Sequence, residues 1–493
     1  MDINMNNYKE EKFYQKIIYD IWKEKFPDVQ FGIDDNFFDL GGSSLQAIDI
    51  IGKLSENFQV DIQQFFAEPT IRNIAASITE DIDSMKKGFS QTFRFEELRR
   101  IDTREQEEYR KKYLQINDVE EQYSKYENIL LLGATGFLGI YLLHQLLLKS
   151  TANITLIVRA ESIEQAQNRI YQQYKYYFEK ESYKENIQRI TFLQGDLTKN
   201  QFGLAQKVYV KLADVIDAII NSAALVKHMG KNSEFEAINV KIVKNLIDFA
   251  EKGRKKYIHH MSTIGIIYGA KIDQQKTIFT EYDNITEEGL TNQYLLSKIK
   301  AESMLLEARK RGIQSNIYRM SGILFDSKTG KYQRNINEST AYIYYRNLYK
   351  LGVIPSDIRR EMDISCVDKI SEAVVSLILL KGHPNEIYHV INPNGLTIRE
   401  ILNLVRECEG NNEKILKELS VEEIYNCYKQ ADIEEKEWFK QLVFECQIVN
   451  DIGRNNRNIG VDKTVYILRK LGFQWKPVGK KEFLLAYREI KKF

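Results

Sequence analysis

Ser44 stands in the run Asp-Asn-Phe-Phe-Asp-Leu-Gly-Gly-Ser-Ser-Leu (35–45). The two glycines allow a tight turn, and the apolar spacing Leu45, Ile48, Ile51, Leu54 starts a helix there. A hydroxyl at a helix N-terminus meets unpaired amides and the positive end of the dipole, which suits a phosphodiester as well as a plain helix cap. Downstream, Gly-Ala-Thr-Gly-Phe-Leu-Gly (133–139) follows an apolar strand and opens another helix. Gly133, Gly136 and Gly139 let the backbone turn sharply and approach a pyrophosphate. The next strand ends in Arg159, where an acidic residue would grip a free ribose 2′-hydroxyl. An arginine there suits a 2′-phosphate, so the expected dinucleotide is NADPH, unless Arg159 is an ordinary surface residue. Arg169 is a second candidate clamp, and Asp196 is placed to meet the adenine edge or to cap its own turn.

Tyr294 and Lys298, four apart, share one helical face. A neighbouring cation lowers a phenol's pKa and readies it for proton transfer. The spacing alone says little, because the chain holds 29 tyrosines and Tyr8/Lys12, Tyr171/Lys175, Tyr176/Lys180 and Tyr425/Lys429 repeat it. Context singles it out: the pair follows Met261-Ser262-Thr263, which ends a predicted central strand and supplies a hydroxyl, Thr263 first and Ser262 second. Lys227 and His228 could form a base pair, but a role in positioning the cofactor is preferred, because Thr263, Tyr294 and Lys298 already supply proton chemistry. His259 and His260 lie within a strand and read as packing residues. The four cysteines lack metal-ligand spacing, so no metal is expected.

Two scaffolds must hold these groups. Residues 1–85 read as a small helical bundle: Phe13, Ile17, Ile18, Ile21 and Trp22 recur at helical spacing, and Thr70 after Pro69 caps a last helix. Residues 86–125 are highly charged and read as a linker with some helix. From 126 to 493 short apolar runs alternate with helical stretches: 128–132, 154–158, 190–194, 216–220, 256–261, 316–320 and 387–391. Such runs imply a Rossmann-type, doubly wound parallel sheet over about 126–320, with a smaller, mostly helical lobe over about 321–493. The fold class is α/β.

Composition narrows the function. Residues 1–85 carry a net charge of −9 and the remainder +10, which suits either two solvated surfaces or an acidic module docking on a basic one. No concentrated basic block points to nucleic acid. Residues 129–148 are apolar, but their glycines and polar residues break them into strand, turn and helix rather than a membrane span. The first residues lack the apolar core of a signal peptide, so a cytoplasmic protein is expected.

Two resemblances sharpen this reading. The run 35–45 resembles the attachment motif of peptidyl carrier domains of non-ribosomal peptide synthetases. That implies a four-helix carrier bundle with 4′-phosphopantetheine on Ser44, set by a phosphopantetheinyl transferase. The turn at 133–139, the strand-end hydroxyl and the Tyr-x-x-x-Lys helix resemble the extended short-chain dehydrogenase/reductases. Asn-Ser-Ala-Ala-Leu-Val-Lys-His-Met-Gly (221–230), Val367-Asp368, Tyr388-His389 and Asn392-Pro393 resemble terminal thioester reductase domains, a type also found in carboxylic acid and aminoadipate reductases. The resemblance implies cofactor contacts at Gly133, Thr135, Gly136, Phe137, Leu138, Gly139, Arg159, Arg169, Asp196, Leu197, Ala223, Lys227, Tyr294 and Lys298. It implies catalysis by Thr263, Tyr294 and Lys298. The expected reaction is reduction of a carrier-bound acyl thioester to an aldehyde, or on to an alcohol. The alternatives are a carrier-linked ketoreductase or epimerase, a redox-neutral cyclising release, or a non-enzymatic docking module. Related megasynthases carry an adenylation domain ahead of the carrier and this chain does not, so upstream adenylation or condensation modules are expected in cis or in trans.

Overall fold

The computed structural model describes residues 2–55, 58, 60, 65–66, 68–78, 84–123, 125–226, 232–269, 275–286, 292–411, 413–444, 446, 452 and 455–491. Helices α1 (Asp2–Lys25), α2 (Ser44–Ser55) and α3 (Ile71–Ser77) form the bundle. Trp22, Phe37, Ile51, Phe65 and Ile74 are its fully buried centre. Phe37 anchors the loop before α2: Gly41 takes φ +96°, and a Cβ on Gly42 would run into the Phe37 ring. Thr70 caps α3 by accepting from the Asn73 amide at 3.2 Å. The connecting segment holds α4 (Ser84–Phe93) and α5 (Thr103–Leu114), and both are docked rather than free. Tyr109 on α5 donates to Glu281 at 2.6 Å, and Glu105 accepts from the Thr277 amide at 3.0 Å.

The second scaffold is a seven-stranded, all-parallel sheet. Its strands are β1 (Asn128–Leu132), β2 (Asn153–Val158), β3 (Ile190–Gln194), β4 (Ala218–Asn221), β5 (Tyr257–Thr263), β6 (Gln314–Met320) and β7 (Ile387–Val390). The order is β7-β6-β5-β4-β1-β2-β3, so the chain reverses direction across the sheet between β1 and β4. All seven lie where the apolar runs place them. Side chains alternate across a strand. Ile129 and Leu131 therefore enter one core with α6 (Phe137–Lys149), while Leu130 and Leu132 enter the opposite core with α8 (Lys241–Ala250) and α9 (Gln293–Lys310). Helix α7 (Ile163–Tyr177) joins the first of these cores, as does α10 (Val367–Ile378).

α11 (Val421–Gln430) and α12 (Ile433–Phe444) form a helical lobe, while α13 (Asp462–Lys470) packs into the first core of the sheet. The bundle shares a core with this lobe. Phe89 of α4 meets Tyr428 and Phe439 with ring centroids 5.3 and 5.6 Å apart. α2 crosses α12 so closely that a Cβ on Gly52 would lie 2.8 Å from Lys440 Cδ.

Candidate active site

Helix α2 begins at Ser44, and its cap is the preceding residue. The Ser43 amide donates to Gln46 Oε1 at 2.9 Å, and Ser43 Oγ accepts from the Gln46 amide at 3.2 Å, a reciprocal capping box. The cap role left open for Ser44 is therefore taken by Ser43. The Ser44 side chain itself lies outside the described residues, as do Lys227 and His228.

The glycine turn joins β1 to α6. Gly133 has φ +81°, and a Cβ there would sit 2.6 Å from the Ala223 amide nitrogen. A Cβ on Gly139 would run into the Gly133 carbonyl, so only glycine lets α6 start against the strand end. Gly136 caps α6 with no side-chain hydrogen bond, which leaves the first-turn amides without a side-chain partner beside half-buried Thr135, Phe137 and Leu138. An open helix N-terminus behind a backbone-lined cradle fits a dinucleotide pyrophosphate. Arg159 is exposed at the end of β2, and Arg169 donates to its backbone carbonyl oxygen. Asp196 Oδ1 accepts from the Thr198 amide at 3.0 Å and its hydroxyl at 2.7 Å, closing its own turn. Burial opposes the Asp196 charge, but the Thr198 bonds and the nearby Arg159 and Lys199 outweigh it and hold the carboxyl low. Leu197 accepts from Asn245 through its carbonyl at 2.9 Å.

Thr263 ends β5, and its hydroxyl hydrogen-bonds the Tyr294 phenol. Asn292 caps α9 by accepting from the Leu295 amide at 3.1 Å, which fixes Tyr294 in the first turn. Lys298 lies one turn on and donates from Nζ to the Met261 carbonyl at 2.8 Å. The structure thus gathers Thr263, Tyr294 and Lys298 at one strand end. Burial pushes the Tyr294 phenol up to about 12, with the Thr263 bond pulling it back. Burial also brings Lys298 down to about 8 against the pull of Glu302. The expected lowering of the phenol by its lysine is reversed, because burial of the phenol dominates its environment. Such a phenol keeps its proton at neutral pH, the state a proton donor requires. Ser44 is held elsewhere, on a helix of the bundle core, whereas Tyr294 packs in a separate cluster with Phe235 and Leu295.

Three supporting residues had no flag in the sequence. Asn239 lies in a π-helical turn (Glu236–Val240). It accepts from the Leu225 amide at 2.8 Å and donates to Ser297 Oγ at 2.9 Å, tying the loop after β4 to α9. Glu302 and Arg319 form a buried pair at 2.8 Å with side chains only 2% and 1% exposed. Ser262 donates to Glu302, so the alternative hydroxyl faces away from Tyr294. Glu302 sits four residues beyond Lys298, the one hint its position offered. His259 bonds Tyr126 and Tyr318, and His260 meets Asn221 at 3.1 Å; burial keeps both well below the usual histidine range.

Comparison with known proteins finds matches to both scaffolds. Residues 16–78 match the phosphopantetheine attachment site family, and residues 131–374 match the NAD-binding male sterility protein family. A thiolation-reductase di-domain from an archaeal non-ribosomal peptide synthetase superposes over 97% of both chains, with TM-score 0.78 and 22% identity. This chain has the fold of a carrier–reductase didomain. The terminal R domain of the myxalamid pathway covers 76% of the didomain and 92% of that chain at TM-score 0.65 and 25% identity. A linear gramicidin synthase polypeptide of Brevibacillus parabrevis is 29% identical over 77% of the didomain and 7% of its own length. L-2-aminoadipate reductase of Saccharomyces cerevisiae is 28% identical over 76% and 28% respectively. The didomain thus spans a small part of these curated relatives. The two family matches imply phosphopantetheine and NAD(P)H as its cofactors. Among the described residues, no helix is long and apolar enough to cross a membrane.

Proposed function

We propose that the didomain reductively releases an acyl or peptidyl group carried as a thioester on Ser44. The observation that carries this reading is the Thr263–Tyr294 hydrogen bond with Lys298 one turn away, on the same chain as a carrier. When bound, the dinucleotide supplies a hydride to the thioester carbonyl carbon. Thr263 and Tyr294 are placed to donate to the carbonyl oxygen as charge develops on it. Tyr294 gives up its proton there, and Lys298 orients the phenol and the nicotinamide ribose. The first product is an aldehyde with the arm's thiol set free, and a second round yields an alcohol. Tethering raises the local substrate concentration, so weak docking of the carrier suffices.

Arg159 at the end of β2, with Arg169 bonded to its backbone carbonyl, supports NADPH over NADH, since a guanidinium there suits a 2′-phosphate. The roles given to Gly133, Thr135, Gly136, Phe137, Leu138, Gly139, Asp196, Leu197, Ala223 and Lys227 as its other contacts belong to the same proposal. So do the boundaries: a carrier at 1–85, a connecting segment at 86–125 and the reductase at 126–493. A phosphopantetheinyl transferase and upstream adenylation or condensation modules, in cis or in trans, are its proposed partners, in the cytoplasm. Isotope transfer tests the reading. With NADPH deuterated on the transferred position, the released product carries deuterium on the former carbonyl carbon. A released product without deuterium, as in redox-neutral cyclisation, refutes it.

A further inference from the structure

Beside Thr263 the sheet edge carries a carboxylate that the proposed chemistry leaves unused. Thr263 of β5 is in register with Met320 of β6, and the Ile264 amide donates to the Met320 carbonyl at 2.8 Å. Ser321 and Gly322 therefore follow immediately next to the reacting end of β5. Gly322 is exposed, and nothing lies within 4 Å of the position a Cβ would take, so this edge opens onto space. The short strand Ser365–Cys366 pairs with Ile323–Leu324 and brings Asp363 alongside. The Ser321 hydroxyl donates to Ser365 Oγ at 3.1 Å, and both serines lie near enough to favour the charged form of the Asp363 carboxyl. Its Oδ1 is sealed from solvent and has no hydrogen-bond partner among the described residues. Its charge also acts on the phenols of Tyr268 and Tyr345, both half-buried.

The carboxylate lacks a counter-ion among the described residues, none of whose ion pairs involves Asp363. Arg360, which acts on Tyr268, spends its donors on the carbonyls of Glu96, Ile452 and Asn455 at 2.6 to 3.2 Å. Burial raises the Asp363 carboxyl to about 6 while the two serines draw it down, so it is mostly ionised at neutral pH. A buried, ionised and unpaired oxygen is costly, and a cation delivered by a ligand removes that cost. The phenol oxygens of Tyr268 and Tyr345, on which the Asp363 charge acts, offer further acceptors for an alkylammonium.

We propose that Asp363, with Ser321, Tyr268 and Tyr345, binds a primary ammonium on the tethered acyl chain next to its reacting carbonyl. The site makes amino-bearing acyl groups the preferred cargo. This rests on the reductive-release reading and names its substrate class. The ammonium can be the α-amino group or one further along the chain, and matched four-carbon acyl groups separate the two.

The holo-didomain is loaded from coenzyme A thioesters with 2-aminobutanoyl, 4-aminobutanoyl or butanoyl groups, and NADPH oxidation is followed in a single turnover. The wild-type protein should reduce one amino-bearing group at least about tenfold faster than butanoyl, since a site built for a polar group penalises its absence. In Asp363→Asn that ratio should collapse towards one, with the thermal midpoint and NADPH affinity recorded alongside. Equal wild-type rates for all three groups would overturn the site without any variant. A D363N protein that slows all three groups and keeps the wild-type ratio would overturn it too, since that is a structural role. If no acyl group is reduced and every thioester survives, the reductive reading itself fails instead.

Discussion

Changing Tyr294 to phenylalanine removes one oxygen from a largely buried ring and leaves its volume almost unchanged. The phenol stands at about 12, so it carries its proton throughout the neutral range. Only 7% of the residue is exposed, so water has poor access to replace it as the acid. Loss of a positioned general acid costs about 10²- to 10⁴-fold in rate. Thr263 keeps its hydroxyl as one remaining donor to the oxyanion, which places the expected loss near the middle, about 10³-fold or roughly 4 kcal/mol of barrier. Losing the Thr263 hydrogen bond should cost only about 1 kcal/mol of folding stability. The assay is single-turnover NADPH oxidation by acyl-loaded holo-didomain in a stopped-flow fluorimeter, with NADPH affinity and thermal midpoint as controls. A Y294F rate within about threefold of wild type, on a folded protein that binds NADPH, would refute the assignment of the proton donor.

Other consequences follow from the same geometry. Lys298 stands at about 8, so its cation is lost as pH rises through that value. The single-turnover rate should be flat below pH 8 and fall above it, and Lys298→Arg should move the fall upward. Because the folded value lies below the unfolded one, the unfolded chain binds more protons between them, so this residue adds stability as pH rises from about 8 towards 10.5, measurable by urea titration. Glu302→Gln strands the buried Arg319 charge and should cost about 3 kcal/mol in denaturant unfolding, while Glu302→Gln with Arg319→Met should recover most of it. Gly139→Ala forces a Cβ against the Gly133 carbonyl; a displacement worth about 1–3 kcal/mol should weaken NADPH binding roughly tenfold or more by fluorescence titration.

Much of this architecture was legible because the physics is local. Strands β1, β2 and β4 announce themselves as nearly continuous apolar runs, since a parallel sheet covered on both faces leaves no polar side to alternate with, whereas β5 and β6 carry buried polar residues among their apolar ones. The glycine turn was equally plain, because only glycine fits where Gly139 meets Gly133. What escaped depends on contacts between distant segments. α5 lacks a strong apolar stripe, yet Tyr109 docks it through buried bonds to Glu281, 172 residues away, and to the Lys463 amide. Arg319 looks like any strand residue until Glu302 appears opposite it. The phenol's environment was misjudged for the same reason: spacing reveals that Lys298 shares a face with Tyr294, but not that both are enclosed. Ser43 taking the cap beside Ser44 was within reach, since Ser-x-x-Gln is a local signature.

The most direct test is intact-protein mass spectrometry of the didomain, acyl-loaded through phosphopantetheine and then mixed with NADPH. The account predicts that Ser44 bears the arm and that the acyl mass disappears to leave a free thiol. One NADPH should be oxidised for each aldehyde trapped, and Ser44→Ala should take up no arm at all. An acyl mass that persists while NADPH stays reduced, or product released from the Ser44→Ala protein, would contradict it.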